Sequence, residues 1–470
     1  MTNPEPNLPT PEGGGEEDVL RQMEQQLKVE PEEEVRDIED ASFYTRFMYV
    51  LRHFFPLGLI AFGGPTAHIA LLRERFVQKL QLLDEDLFME LFGLCQAMPG
   101  PTSTQLVVAL ATLEAGIPGG LLAFIMWSIP AFVVMAVAGV TSGIYFDSAG
   151  GTPDWMAGLA PSATAQVFIA SWQLSQSVSN SRVKIAIALF ASCVTVMVMG
   201  DARVPPTMGS ISFPLVLIVG GFVALVDSTR SPERLKLYFV PPASVTNAAA
   251  QAKRDRKKLN ISRPVGVVLI VIWLVVLITL IVLRGMGALD GNNLAILLEG
   301  MVRIGSIIYG GGQVVLPMLQ QEQYVTTDQF FQGFALISAM PGPLFNFSAF
   351  LGGVYAGIAG AFVGLVGINL PALLLTFGVL PFWARLRRVQ TFSVFIKGVG
   401  AASIGLLFTA CIQLFEAGVQ NAGGAVVFMV SGTMTMFFKV PVPVSIVFGA
   451  VLGFAFTPTA IGIGQDPYCT

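Results

Sequence analysis

The chain has 470 residues, of which 53% are hydrophobic and only 12% are charged. A soluble domain carries about 25% charged residues, so this composition excludes an ordinary water-soluble globule and predicts an all-α polytopic protein of the cell membrane. The net charge of −4 is unevenly spread: residues 1–40 hold 13 acidic and 3 basic side chains, which leaves 18 acidic and 24 basic side chains in the rest of the chain.

The first 45 residues form an acidic tail. They are rich in Pro, Gly and Glu at first, and helical spacing begins only at 18–40. Such a composition predicts a solvated, partly disordered segment, with a short acidic helix as the alternative. The tail has no basic region followed by an apolar stretch, so no cleavable signal peptide is expected.

The cysteines and histidines do not indicate a metal site. Three of the four cysteines lie far apart in apolar segments, and no metal-ligand spacing or disulfide framework connects them. We therefore expect neither a metal nor a cofactor. The residues concerned are Cys95, Cys193, Cys411, Cys469, His53 and His68.

Long apolar runs predict a series of membrane helices. The clearest run is 265–283, which carries no charge; a span needs about 20 such residues. Helices are expected throughout, because lipid leaves unpaired backbone groups unsatisfied. The predicted segments are 46–72, 88–113, 117–142, 155–176, 182–200, 211–227, 265–283, 294–317, 329–355, 358–382, 393–412, 424–438 and 441–457.

These segments form two halves that match in sequence. Ala-Met-Pro-Gly-Pro at 97–101 recurs at 339–343, and Phe-Gly-Gly-Pro at 62–65 aligns with Gly-Gly-Gly-Gln at 310–313. Other matches keep the same order, among them Pro130-Ala131 with Pro371-Ala372 and Gly158 with Gly398. The predicted organisation is a tail at 1–45, a first half at 46–227, a polar cytoplasmic linker at 228–262, a connecting span at 263–290 and a second half at 291–470.

Loop charges predict that the halves are inverted relative to each other. Basic residues collect in cytoplasmic loops, and the linker carries a basic run at 253–258, which places it inside. One span then separates the halves, so they cross the membrane in opposite directions and form an inverted repeat. Whether the first two segments of each half span the membrane or are re-entrant stays open, although both carry Gly/Pro breaks.

Two Pro-Gly-Pro breaks are the most informative feature. Proline fits the first position of a helix, and a helix start leaves free N–H groups at a positive dipole end. A helix that starts inside the membrane is therefore suited to bind an anion; a packing kink is the alternative. The predicted binding residues are Pro99, Gly100, Pro101, Thr102, Ser103 and Thr104, and in the second half Pro341, Gly342, Pro343 and Asn346.

A glycine-rich break precedes each Pro-Gly-Pro motif. It would allow the backbone to approach an anion closely, although small residues also serve tight helix packing in membranes. No GxxxxGKS or GxxxxGKT sequence is present, so nothing suggests nucleotide coupling. The candidate residues are Gly63, Gly64 and Pro65, with Gly311 and Gly312 in the second half.

Ionisable residues inside membrane segments are costly, and each is a functional candidate. A lone ammonium at Lys397, close to a helix N-terminus, would suit a dianion, unless it snorkels to the interface. Arg303 lies four residues after Glu299, so these two side chains are expected to pair.

Three further residues are candidates for carrying a coupled proton. Glu74 and Glu322 hold matched positions after the glycine-rich breaks, and His68 lies in the first segment. The alternatives are capping or pairing for the glutamates and simple packing for the histidine.

The motifs together resemble the chromate ion transporter family in its two-domain form. The residues that carry the resemblance are FGGP at 62–65, RERFV at 73–77, AMPGPT at 97–102, the second AMPGP and KGVGAASIGLLF at 397–408. The resemblance covers roughly 46–457. It implies a membrane carrier for chromate, with sulfate competition and proton coupling as expectations, and it supports the glycine, proline, glutamate and lysine candidates above together with Thr102. Ala157 departs from the pattern, because similar first halves often carry a base there.

The sequence therefore predicts a secondary transporter that binds a chromate or sulfate-type oxyanion at facing half-helix starts. The partners expected are this anion, the lipid bilayer and protons as a candidate coupling ion, without nucleic acid; a homodimer stays open. An anion channel, or a carrier for sulfate or another anion, is the alternative. An intramembrane enzyme is disfavoured, because HExxH, GxSxG and paired intramembrane aspartates are missing.

Overall fold

A computed structural model describes residues 42–62, 64–83, 85–148, 158–176, 178–179, 181–200, 206–230, 233, 235, 261–309, 315–386 and 389–455. All regular secondary structure in these residues is helical, which confirms the all-α class. The tail at 1–41, most of the linker and residues 456–470 lie outside the described residues, so the predicted domain limits stay predictions.

In the first half the helices follow the predicted segments, but Gly/Pro motifs interrupt two of them. The segment at 46–72 is broken after Ile60, and the segment at 88–113 is broken at 98–101. The helices are α1 (Phe43–Ile60), α2 (Gly64–Arg73, followed by a π-helical turn at Glu74–Lys79), α3 (Glu85–Ala97), α4 (Thr102–Ser148), α5 (Leu159–Ser175), α6 (Arg182–Gly200) and α7 (Pro206–Ser228).

A connecting helix and a second half with the same pattern follow. Pro264 lies in the first turn of the connecting helix α8 (Arg263–Gly285), where a proline is tolerated. The second half consists of α9 (Asn293–Ile307), α10 (Val315–Gln321), α11 (Thr327–Ala339), a 3-10 turn at Leu344–Asn346 that leads into α12 (Phe347–Val379), short turns at Leu380–Phe382 and Trp383–Leu386, α13 (Gln390–Gly418), α14 (Ala422–Met436) and α15 (Val442–Ala455).

Several of these helices have the length and apolar character of membrane spans. Within the described residues, four stretches are long and apolar enough to cross a membrane: Thr102–Ser142, Arg263–Gly285, Leu344–Phe382 and Gln390–Gly418. Shorter apolar helices occur at Leu87–Ala97, Ser212–Ser228, Ala422–Met436 and Val442–Gly453. The fold is therefore that of a polytopic membrane protein, as predicted.

Helices α4 and α12 are hairpins that turn at matched positions. α4 breaks at Ala115 and Gly116, where Gly116 has φ 66° and ψ −161°. α12 breaks at Ala356 and Gly357, where Gly357 has φ 65° and ψ −155°. A positive φ favours glycine at both turns. The two hairpins thus share one backbone geometry, as expected of a repeat.

The longer arms of the hairpins, 117–148 in α4 and 358–379 in α12, pack against each other. Gly120 lies beside Phe377, and the ring of Phe132 is 4.9 Å from that of Phe362. Residue numbers rise along one arm as they fall along the other, so the two arms run antiparallel. This pair forms the centre of the molecule.

The helices fall into two bodies, each built from both halves. In the hairpin body, α1 packs on α4, α9 packs on α12, and the two hairpins pack on each other. In the crossed body, α13 of the second half packs on α6 and α7, while α5 of the first half packs on α14 and α15. The bodies meet where α5, α13 and α15 contact α3, α10 and α11. The opposite orientation of the halves in the membrane stays a prediction.

Candidate functional site

The two Pro-Gly-Pro breaks contact the opposite half of the chain. The Gly100 N–H donates to the carbonyl of Ile308, just after α9, and the Gly342 N–H donates to the carbonyl of Ala61, just after α1, each over 2.8 Å. The motif of each half therefore holds the end of the first helix of the other half. The pairing of Ala61 with Ile308 differs by one residue from the register of the sequence alignment.

Each of these glycines also packs against the other half. Gly100 (φ 124°) and Gly342 (φ 108°) have positive φ. A Cβ atom at Gly100 would lie 2.6 Å from the Cβ atom of Ala372, and one at Gly342 would lie 3.1 Å from that of Ala131. Each break therefore packs against the Pro-Ala pair of the opposite half, and these two pairs match each other in sequence.

A helix starts directly after each break. Helix α4 begins at Thr102, and the Gln105 N–H donates to the carbonyl of Pro101 over 2.9 Å. Pro101 thus precedes the helix instead of taking its first position as predicted, because its carbonyl accepts the first intrahelical bond. The N–H groups of residues 102–104 have no intrahelical acceptor. In the second half, Pro343 precedes the 3-10 turn in the same way.

The predicted hydroxyl donors differ in their surroundings. Thr102 is half-buried, whereas Ser103 and Thr104 are buried. The Ser103 Oγ lies 3.4 Å from Nδ1 of His68. The Thr104 Oγ1 has no hydrogen-bond partner among the described residues, so its donor is available to a ligand.

His68 is buried at the junction of the two breaks. Its Nε2 lies 3.0 Å from the carbonyl of Ala61, the same oxygen that accepts from Gly342. Because a carbonyl only accepts, Nε2 carries a hydrogen, and Nδ1 is left to accept from the Ser103 hydroxyl. The ring also contacts Trp127 edge to face at 5.1 Å. His68 therefore bridges the first-half helix start and the second-half break.

One amide hydrogen of Asn346 is donated to the other half of the chain. Its Nδ2 donates to the carbonyl of Ser128 over 2.9 Å, which leaves Oδ1 without a partner in the described part of the chain. The free atom is an acceptor and does not suit an anion. Nδ2 carries a second hydrogen, so the predicted contact of Asn346 with the anion stays a prediction.

Buried polar side chains surround the two breaks, and we call this set of groups the polar layer. Sequence reasoning missed three residues of this layer. Ser128 and Asn369 lie three residues before Ala131 and Ala372, and the antiparallel arms bring them level with each other. Gln105 lies one turn after the first break, with its Nε2 on the carbonyl of Pro99 at 2.9 Å. All three are buried. The signal was available: Ser-Ile-Pro-Ala at 128–131 aligns with Asn-Leu-Pro-Ala at 369–372.

The lengths of the hairpin arms favour a position of this polar layer inside the membrane. From Thr102 to the turn at Ala115 the short arm of α4 covers about 20 Å, less than the roughly 30 Å of a bilayer core. Its partner arm at 117–142 covers about 38 Å and can cross fully. With the turn at one surface, the helix start lies inside the membrane.

Only part of the glycine-rich breaks lies within the described residues. Gly63, Gly311 and Gly312 lie outside the described residues. Gly64 and Pro65 start α2, beside the carbonyl of Ala61 that joins the two halves. Their predicted contact with an anion stays a prediction.

The matched glutamates have different environments. Glu74 pairs with Lys79 at 2.8 Å, and both side chains are exposed. Glu322 pairs with Arg303 at 2.8 Å, and Arg303 also pairs with buried Glu299 at 2.7 Å, as the sequence predicted. Glu322 ties the segment between α10 and α11 to α9, whereas Glu74 is a surface residue.

Lys397 is not a lone ammonium at a helix start. It lies about two turns inside α13, which begins at Gln390, and its side chain is exposed. The buried Lys184 on α6 is close enough for the two charges to interact. Packing of α6 on α13 brings them together, and sequence reasoning missed Lys184. In the described part of the chain, no hydrogen bond or ion pair is observed between Lys397 and the helix starts.

Comparison with known families agrees with this architecture. A sequence profile described as chromate transporter matches residues 48–226 and 295–454, which are the two halves without the tail, the linker or α8. The chain belongs to the chromate transporter family. Members of this family are membrane transporters and not enzymes, so the resemblance, the transporter class and the membrane location are confirmed.

Curated relatives cover most of the chain. A protein named probable chromate transport protein from Synechococcus elongatus is 23% identical over 86% of this chain and 94% of its own length. Chromate transport proteins of Pseudomonas aeruginosa (27% identical, 77% of this chain and 80% of the relative) and Cupriavidus metallidurans (24%, 87% and 94%) are also similar. No solved structure matches the chain.

Proposed function

We propose that this protein is a secondary transporter that carries chromate across the cell membrane, with the anion bound between the two Pro-Gly-Pro helix starts. One observation carries the proposal: the N–H of Gly100 and that of Gly342 each bond to the other half at 2.8 Å, so both helix starts border one buried layer. The substrate is suggested by the names of the relatives from Pseudomonas aeruginosa and Cupriavidus metallidurans.

The donors of this layer suit an oxyanion. A dianion is very costly in a low dielectric unless several donors replace its water. The N–H groups of residues 102–104 point out of a positive helix end. The hydroxyls of Thr104 and Ser128 have no partner among the described residues and are buried. Chromate and sulfate share charge and shape, so we propose sulfate as a competing substrate.

His68 is the proposed proton site. In the neutral ring Nδ1 accepts from the Ser103 hydroxyl, and protonation turns Nδ1 into a donor. The Ser103 hydrogen is then released towards the anion, and the ring adds a positive charge to the layer. Binding of the anion and of the proton are coupled because each makes the other more favourable.

Transport by proteoliposomes tests this function. We expect purified protein to accumulate labelled chromate against its gradient when a proton gradient is imposed, and sulfate to compete. Uptake that only follows the chromate gradient would favour the channel alternative. Absence of chromate uptake under all gradients, with competent uptake of another anion, would reject chromate as the substrate.

The coupling role predicts a change in pH dependence for His68→Gln. Glutamine keeps a donor for the carbonyl of Ala61 but cannot be protonated near neutral pH. Wild-type uptake should rise as the pH falls, because the proposed step needs a proton on the His68 ring. The variant should show a flattened profile, and His53→Gln, the matched control, should keep the wild-type profile. An unchanged profile in His68→Gln would remove His68 from the mechanism.

A further inference from the structure

Three buried amide oxygens lie in the polar layer without a partner. They are Oε1 of Gln105, Oδ1 of Asn346 and Oδ1 of Asn369, and none has a hydrogen-bond donor among the described residues. The three side chains are at most 2% exposed. A buried acceptor left unpaired costs about 1–3 kcal/mol, so three of them in one layer call for an explanation.

The orientation of each amide is fixed by its nitrogen. The Nε2 of Gln105 donates to Pro99, the Nδ2 of Asn346 donates to Ser128, and the Nδ2 of Asn369 donates to Leu365, each to a backbone carbonyl at 2.9 Å. A carbonyl cannot donate, so exchanging nitrogen and oxygen would break the bond in every case. The free atoms are therefore oxygens.

The amides come from both halves and surround the same crossing. Asn346 is bonded to the backbone of Ser128, which is level with Asn369 on the facing arm. Gln105 lies beside Gly100, which packs on Ala372, one turn from Asn369. The repeat thus places the three amide side chains around the crossing of the two hairpins.

We propose that these oxygens form a binding site for a dehydrated monovalent cation of the size of sodium, which is transported together with the anion. An oxyanion cannot satisfy an acceptor, whereas a hard cation prefers oxygen ligands. Divalent cations are usually held by carboxylates, and no Asp or Glu is found in this layer among the described residues. Neutral amide oxygens therefore indicate a monovalent ion.

Charge balance also indicates a monovalent cation. This step rests on the proposed function, in which a dianion binds in the layer and His68 takes one proton. That combination leaves one net negative charge in a low dielectric, which is costly. One monovalent cation at the amide oxygens makes the complete load neutral. The donor groups of the layer then bind the anion, and its unpaired acceptor oxygens bind the cation.

Sodium dependence of uptake tests the site. With purified full-length protein in proteoliposomes at constant pH and ionic strength, replacing sodium by choline should lower chromate uptake at least tenfold. Asn369→Leu should raise the sodium concentration needed for half-maximal uptake several-fold, and Asn369→Asp should lower it. Gln332→Leu removes a buried, unpartnered amide oxygen on α11, outside the layer, and should leave the sodium dependence unchanged. Equal uptake in sodium and choline overturns the proposal.

Direct binding separates this proposal from the transport function. Purified wild-type protein in detergent should bind radioactive sodium without chromate, and Asn369→Leu should bind at least tenfold less. If sodium binds but chromate is not carried in any medium, the proposed function fails and the cation site stands. If chromate is carried but sodium neither binds nor affects uptake, ordered water fills the oxygens and the cation site is rejected.

Discussion

Gly100 and Gly342 each meet two constraints that favour glycine over every other residue. Both have a positive φ, which costs other L-residues about 1–2 kcal/mol. Both also face an alanine of the opposite half at a distance that leaves little or no room for a side chain. Because the same residues donate the hydrogen bonds between the halves, a change at either position would disturb the site and the contact between halves together.

Gly100→Ala is therefore expected to destabilise the protein by about 2–4 kcal/mol, from backbone strain and overpacking combined. The matched control is Gly400→Ala, since Gly400 lies inside helix α13 and a Cβ atom there meets nothing within 4 Å. Thermal unfolding in detergent should show a clear loss for the first variant and none for the second. Equal unfolding temperatures would show that the break can relax.

Thr104→Val should weaken anion binding without a matching loss of stability. The Thr104 hydroxyl has no partner in the described residues, so valine removes a donor and no protein hydrogen bond. Losing a donor to a charged ligand costs about 1–3 kcal/mol, or roughly 5- to 150-fold in affinity. Thr112→Val is the control, because the Thr112 hydroxyl already donates to Val108 over 2.6 Å. Equal chromate affinities in the two variants would exclude Thr104 from the site.

Individual site residues were predictable where local chemistry determines them. The Pro-Gly-Pro glycines follow from the motif alone, because a break followed by a helix start needs an unusual backbone. Ser128 and Asn369 could have been paired from the alignment of the two Pro-Ala motifs, but their burial at one level could not be predicted, because it depends on the packing of the facing helices. Lys184 was missed for the same reason, because only the packing of α6 on α13 brings it to Lys397.

At the scale of helices, the halves exchange one element. α5 belongs to the first half but packs on α14 and α15, and α13 belongs to the second half but packs on α6 and α7. Matched glycines allow close approach at both places: Gly158 meets Gly449, and Gly398 meets Gly220. The sequence predicted the helices, the breaks and the matched glycines, but helix partners depend on tertiary packing that no local pattern encodes.

The exchange predicts a covalent link between the halves in Ser162→Cys combined with Ser431→Cys. The two hydroxyl oxygens lie 3.0 Å apart, on α5 and α14, and a disulfide needs about 2.0 Å between sulfurs. After proteolysis at a site introduced in the linker, the oxidised double variant should migrate as one chain and the reduced one as two fragments. Two fragments after oxidation would contradict the packing of α5 on α14.

At the scale of the whole molecule, the polar layer proposed to bind the anion lies inside the hairpin body, and the crossed body packs against that body. The two bodies touch through a few helices, with α5, α13 and α15 against α3, α10 and α11. Secondary transporters with repeats commonly move one such body against the other. The arrangement therefore suits a carrier, in which sliding of the crossed body would open the layer to one side at a time.

Inversion of the halves predicts that the two hairpin turns lie on opposite sides of the membrane. With the linker inside, Ile117→Cys should react with an impermeant thiol reagent from the cytoplasm, and Ile358→Cys should react from outside. Both positions directly follow the glycine of their turn, so the variants are matched. The measurement needs a background in which the four native cysteines are replaced. Labelling of both positions from the same side would exclude an inverted repeat.

The crossing of α5 and α13 also bears on how the protein is made. The ribosome delivers α5, α6 and α7 well before α13, α14 and α15 exist, and domains commonly fold in the order of synthesis. The helices that α5 packs on, which are α11, α13, α14 and α15, all belong to the second half, and α6 and α7 have only each other until Gln390–Gly418 has entered the bilayer. Insertion and folding must therefore be separate stages. The helices of the first half are inserted in the lipid before they can pack on their second-half partners. By the same geometry, two separately synthesised half-length chains could reach this fold only as an interlocked pair.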